Sequence, residues 1–284
     1  MSTPSIKKAS TKEIKSENAP EMVFYPKEPW QFQSFESKAP VLNNPYLIVG
    51  LPGIGNVGKI VVDFLIDELK AKKLYEINSY HFPNTVFVTE ENLVELPSIE
   101  IFYKKGSGKT PDLIFLSGDV QPTEQEACYQ FCDIVLDLFT TMKGKQIITL
   151  GGIGLQEAPE NPKVFCTGAA KEATASFVKG TSLNPNIFGV VGAFVGVAGV
   201  LVGLAGKRKI EAVSLLAETL AHPYYIGMKG SKEILTVLNK KFSLQVNVDK
   251  LDKEIKEFER ELMQTAEQME ESSKQTPSRQ SYIG

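Results

Sequence analysis

From residue 46 onward the chain alternates short apolar runs with longer amphipathic stretches. Residues 46–49, Tyr-Leu-Ile-Val, form an apolar run that enters a glycine-rich turn. Val57, Ile60, Val61, Phe64, Leu65 and Leu69 follow at helical spacing and share one face. Residues 79–88 and 93–104 read as two extended runs joined across Glu90, Glu91 and Asn92, an antiparallel hairpin or meander. Residues 112–117 have the continuous apolar character of a buried strand. Thr123 and Glu126 have capping-box spacing, and the helix they open continues its apolar face through Ala127, Phe131, Ile134, Val135 and Leu138.

The alternation persists toward the C-terminus. Residues 146–150 predict a strand that runs into Gly151, Gly152, Ile153 and Gly154. A strand near 163–167, a helix near 169–177, a strand over 212–217 and a helix over 231–242 follow. Leu251, Ile255, Phe258, Leu262 and Met269 then form a near-heptad apolar stripe on a charged helix from about 248 to 271. Strands alternating with helices of this length predict an α/β fold with a mainly parallel sheet covered on both faces, and an antiparallel hairpin portion. The expected organisation is a flexible arm over 1–40, an α/β domain over 41–245, a long C-terminal helix over 246–271 and a flexible tail over 272–284. Apolar spots in the arm, at 22–25 and 30–35, are suited to packing on the body or on a partner.

Residues 187–206 carry no charge and are long enough to span a bilayer. Their glycines, at 189, 192, 196, 199, 203 and 206, alternate in spacing between three and four and make one stripe on a helix. The favoured reading is a helix buried on every side in a globular core, because α/β units lie on both sides of it and no second candidate span exists. Each glycine weakens such a helix by about 1 kcal/mol relative to alanine, so packing has to stabilise it.

With 284 residues, 42% of them apolar and 23% charged, the chain can bury a substantial core. A formal net charge of −3 argues against nucleic-acid binding, which needs clustered Lys and Arg against phosphate. Three cysteines without a CxxC pair point to a reducing compartment. The polar, lysine-bearing N-terminus has no apolar h-region, so a cytoplasmic location is expected.

The turn after the first apolar run holds the sharpest chemical signal. Gly53-x-Gly55-x-x-Gly58 has the spacing of a dinucleotide fingerprint, and Gly53 through Gly58 and Lys59 matches a P-loop up to its hydroxyl position. Ile60 stands where that Ser or Thr should hold magnesium, and Asp119 arrives two residues late for the aspartate after the later strand. The dinucleotide reading wants an acidic residue at the tip of the second strand, but Glu76 precedes Ile77 and Asn78 rather than ending the run. Should a small ligand bind, the candidate residues are Gly53, Gly55, Gly58, Lys59, Asp119 and Gly152. Otherwise the glycines serve a tight strand-to-helix turn and close packing, the reading favoured here. Cys128 and Cys132 lie four apart on one helical face, but a metal site needs two further ligands and the chain offers only His81 and His222. No metal site and no catalytic residue is therefore expected.

The order of these segments carries a resemblance. Residues 47–58 (LIVGLPGIGNVG), the extended region at Tyr80-His81-Phe82-Pro83, residues 112–122 (DLIFLSGDVQP) and residues 148–154 (ITLGGIG) come first. The glycine-rich run 199–206, the strand 212–219 and a late helix close the series. This succession resembles the PAC2 family, the archaeal homologues of eukaryotic proteasome assembly chaperones. The resemblance implies a three-layer Rossmann-like fold related to nucleoside phosphorylases. It also implies homo-oligomers and a non-catalytic role in binding proteasome subunits, of the α-type, with no cofactor. Some family members have been labelled ATP-grasp-like or carboxylate–amine ligases, a role that would need paired metal-binding carboxylates. Some archaeal members engage the proteasome ring through a C-terminal hydrophobic–Tyr–any-residue tail. Tyr282, Ile283 and Gly284 end this chain, with Tyr282 one place early, and they are the candidate partner-binding residues.

Overall fold

Residues 29–251 are described by the computed structural model. The chain begins in strand β1 (Trp30–Ser34), continues into β2 (Tyr46–Val49), and turns through one 3-10 turn at Ile54–Asn56 into helix α1 (Val57–Leu69). Strand β3 (Lys72–Ser79) is followed by a small hairpin, β4 (Phe87–Val88) and β5 (Val94–Glu95), and then by β6 (Ile99–Lys104) and β7 (Leu113–Gly118). Helix α2 (Gln125–Thr141), β8 (Gln146–Leu155), β9 (Val164–Gly168), α3 (Lys171–Val178), α4 (Val197–Lys207), β10 (Ala212–Leu220) and α5 (Met228–Phe242) complete the order.

Eight strands form one sheet in the order β1-β3-β6-β7-β2-β8-β10-β9. At its centre β7, β2, β8 and β10 run parallel, with Val49 opposite Leu116 on one side and Thr149 on the other. The flanking pairs are antiparallel, so β3 points with the central four while β1, β6 and β9 point against them. Buried parallel strands need apolar residues on both faces, and β7 is buried along its whole length. One face packs Val61, Val62 and Leu65 of α1 against Ile234, Leu238 and Phe242 of α5. The opposite face packs Phe131 and Val135 of α2 with Leu201 and Ala205 of α4. The result is a three-layer α/β arrangement.

Several local expectations are revised. Trp30–Ser34, within the polar N-terminal segment, is an edge strand, because alternate aromatics let Trp30 rest on Phe131 while the backbone pairs with β3. The expected extended run 79–88 is not one strand, since Ser79 ends β3 and only Phe87–Val88 forms a strand beyond it, and the run 93–104 divides into β5 and β6. Most of the pairing is made between β3 and β6, and only the short β4–β5 hairpin bridges Glu90 to Asn92. Thr123 and Glu126 form no capping box: α2 starts at Gln125 with Glu124 as its N-cap and without a side-chain cap bond. The uncharged stretch 187–206 is helical only from Val197. Gly189 and Gly196 take φ values of 84° and 90°, so the first half runs as a loop that holds down only Ile187, Val191 and Phe194. No helix among the described residues is long and apolar enough to cross a membrane. The expected helix over 246–271 lies outside the described residues beyond Leu251, as do the tail residues Tyr282, Ile283 and Gly284.

Candidate functional site

Beyond Val49 the β2 backbone leaves the sheet while β8 continues to Leu155, and the space between them is filled by the glycine turn. The Gly50 amide donates to the Leu116 carbonyl at 2.9 Å, and the Asn56 amide donates to the Gly53 carbonyl at 2.9 Å, which tightens the turn into α1. Gly55 and Asn56 are both left-handed, with φ of 62° and 49°. That reversal aims α1 back across the sheet within three residues.

Close approach explains the glycines themselves. A Cβ on Gly58 would lie 2.5 Å from the Leu150 carbonyl oxygen, and one on Gly50 would collide with the Gly58 carbonyl. On Gly152 it would collide with the Ile54 carbonyl. Gly55 is pressed on Thr219, and its carbonyl accepts the Gly227 amide at 2.7 Å, so it faces α5 and the end of β10. Gly53 alone of this set has open space around it.

That open side borders a cavity of about 460 Å³ at the carboxyl ends of β2 and β8, where open α/β sheets bind ligands. Gly53, Gly58, Gly152, Val191 and Phe194 line it, with Gln121 as the polar side chain, and no titratable side chain reaches it. The structure thus brings together three of the six candidate residues, Gly53, Gly58 and Gly152, and separates Gly55, Lys59 and Asp119 from them. Lys59 pairs with Asp63 at 2.9 Å, and Asp63 in turn accepts a hydrogen bond from the buried Ser117 hydroxyl. The Asp119 carboxylate accepts the Ser98 amide at 3.0 Å and caps the start of β6. A phosphate in the cavity would meet backbone amides without a cation, whereas an uncharged apolar group would fit its walls.

Gln121 is the residue that sequence reasoning missed. Its Nε2 donates to the Pro52 carbonyl at 2.6 Å and its Oε1 accepts the Val197 amide at 3.1 Å. One side chain therefore ties the glycine turn to the first residue of α4. The only sequence signal is an amide beside Pro122 after a buried strand.

The cysteines sit in the core rather than at the cavity. Hydrogen bonding with Cys132 draws the Cys128 thiol down to about 7 and pushes Cys132 up, and burial pushes Cys166 up to about 12. His81 rests against Trp30 with ring centroids 5.6 Å apart, and His222 against Tyr224 at 5.8 Å. Among the described residues no group of three or more His, Cys, Asp or Glu side chains is placed to hold a metal.

The PAC2 family model matches residues 47–266. The crystal structure of Pyrococcus furiosus PbaB, an archaeal proteasome activator, is similar with a TM-score of 0.75 and 32% identity, covering 84% of this chain and 99% of that one. Pyrococcus furiosus PbaA, an archaeal homolog of proteasome-assembly chaperone, has the same fold with a TM-score of 0.69 at 22% identity over 87% of this chain and 95% of its own. An uncharacterized protein of Methanocaldococcus jannaschii is 30% identical over 253 residues, 86% of this chain and 96% of that protein.

Proposed function

The chain belongs to the PAC2 family, and from that membership we propose that it is a non-catalytic, chaperone-like protein that binds proteasome subunits, α-type foremost, as a cytoplasmic homo-oligomer. The likeness to PbaB, 32% identical across 99% of that protein, carries the reading. An activator and an assembly factor share one physical requirement, a surface that grips proteasome subunits without altering them covalently. The candidate site supports a role without chemistry of its own. Gly58 and Gly152 are committed to backbone packing, Lys59 and Asp119 are committed to Asp63 and Ser98, and its cavity is lined without a titratable group. No cofactor is assigned to it. Tyr282, Ile283 and Gly284 are proposed as a tail contact to the ring.

Co-elution of the full chain with purified proteasome α-subunits, β-subunits and assembled 20S particles tests this reading. Binding to α-subunits or to α-rings is expected, and removal of residues 282–284 should weaken capture of the assembled particle. Binding to none of the three preparations would overturn the proposal. The alternative, a nucleoside-phosphorylase-like or ATP-dependent ligase-like enzyme, draws on the position of the cavity at the strand ends. A thermal-shift panel with ATP, NAD and nucleosides separates the two. A flat response is expected, and a rise of several degrees with one of them would favour the enzyme.

A further inference from the structure

Twelve of the sixteen large hydrophobic side chains exposed among the described residues gather at one end of the molecule. Seven lie on the segment 80–96 and three on the loop 187–196, with Ile54 and Tyr224 completing the set. The topology places them together. Strands β3, β7, β2, β8 and β10 all point toward this end, so the segment after β3, the glycine turn after β2 and Tyr224 after β10 all emerge there. The loop 187–196 joins them because Gln121, just past β7, holds the Val197 amide at the start of α4.

The hairpin is the part of this face that can least stand bare. It pairs only Phe87 with Glu95 and Val88 with Val94, in a two-stranded sheet separate from the main one. Successive strand residues point to opposite faces, so the exposed Phe87 and Val88 put apolar carbon on both sides of it. A lone two-stranded hairpin is marginal in water, and contiguous exposed apolar surface of this kind marks an interface. Segment 80–98 also contains no Lys or Arg, so no long cationic side chain shields its apolar groups.

We propose that this end of the sheet, with the β4–β5 hairpin as its arm, is the contact face between copies of this chain. The inference rests on the homo-oligomeric reading above and names the surface that would serve it. The character of the face selects a second copy over a proteasome subunit, and its size suits one. The loop and Ile54 are apolar and uncharged, and charge on the face is confined to Glu90, Glu91 and Glu95 of the arm. Most of it thus has the character of a permanent interface, and a subunit that is released after assembly would leave it exposed in each cycle. Its segments also total about thirty residues, close to the roughly 20–30 residues that one side of a standard interface takes.

Sedimentation of the full chain tests the proposal, with three variants beside the wild type. V88E/L96E and V195E place charge in the face, whereas V41E changes an exposed residue between β1 and β2, at the opposite end of the sheet. The wild type is expected to be oligomeric, the two face variants to dissociate at least 100-fold more readily, and V41E to match the wild type. A monomeric wild type at high concentration would overturn both this face and the oligomeric reading. An oligomer that survives V88E/L96E and V195E would overturn the face and leave the reading standing, as would dissociation by V41E alone. Should a face variant lose its circular-dichroism melt, hydrogen exchange on diluted wild type decides instead. Amides 86–96 should lose protection as the oligomer dissociates, and unchanged protection there would overturn the proposal.

Discussion

Gly58, in the first turn of α1, lies so close to Leu150 of β8 that a Cβ would stand 2.5 Å from the Leu150 carbonyl oxygen. The two residues are far apart in sequence, and their backbones set how closely the first helix approaches the centre of the sheet. A glycine that looks like part of a phosphate cradle is here the point where helix and strand touch.

Replacing Gly58 with alanine therefore has a sign that distinguishes packing from propensity. In a helix, alanine is favoured over glycine by about 1 kcal/mol. Overpacking against rigid backbone costs about 1–3 kcal/mol and outweighs it. Chemical denaturation of Gly58→Ala should show a net loss of up to about 2 kcal/mol, while Gly53→Ala, with open space around it, should stay within about 0.5 kcal/mol of the wild type. A stabilised Gly58→Ala protein would contradict the packing role.

Gln121→Ala removes both tethers between the glycine turn and α4. Each hydrogen bond contributes about 1 kcal/mol, so a loss of about 2 kcal/mol is expected in urea unfolding. Hydrogen exchange should also quicken at Val197 and through the preceding loop, because Gln121 Oε1 accepts that amide and holds it to the β7 end. Unchanged exchange at Val197 would show that the tether is dispensable.

The β3–β6 surface sets an acid limb. The Lys73 ammonium donates to Glu76 at 2.6 Å and holds that carboxyl below its ordinary value of 4.5. A carboxyl lowered in the folded state contributes stability that is fully present above its unfolded value and is lost as pH falls through its folded one. Lys73 itself is raised because hydrogen bonds to Glu100 and Glu76 outweigh its burial. Glu76→Gln should thus lower the unfolding free energy at pH 7, by no more than about 1 kcal/mol for a pair still partly open to solvent, and match the wild type at pH 2. A difference between the two proteins that persists at pH 2 would assign the effect to packing.

Thiol labelling reads the core directly. With iodoacetamide at pH 7.5, Cys166 should remain unmodified in the native protein, since burial raises its thiol to about 12 and removes both thiolate and access. Cys128, drawn down to about 7 but only 6% exposed, should react slowly, and all three cysteines should react in denaturant. Mass spectrometry that finds Cys166 modified as fast as Cys128 would place it outside the core.

Much of the architecture was legible along the chain. The runs at Tyr46–Val49 and Leu113–Gly118 are buried strands, and Val57, Val61 and Leu65 do form the inner face of α1. What misled was the glycine-rich segment before Val197. Its composition allows either a buried helix or a loop, and the choice rests on Gly196 turning left-handed where Gln121 receives the next amide. The capping residues Thr123 and Glu126 failed for a related reason: the chain enters α2 just after Gln121 and Pro122, so its approach is set by those anchors rather than by local capping.

The amino-acid sequence by itself determined the alternation of strand and helix, the apolar faces and the glycine turn, because each depends on residues within a few positions of one another. It also carried the family, through the order in which those segments come. Only the tertiary structure decided what the turn is for. The meetings of Gly58 with Leu150, Asp119 with Ser98 and Gln121 with Val197 join positions that local periodicity cannot relate. They turn an apparent phosphate cradle into a packed corner beside an uncharged cavity. The gathering of exposed apolar side chains at one end is likewise a product of strand direction, which places distant loops side by side.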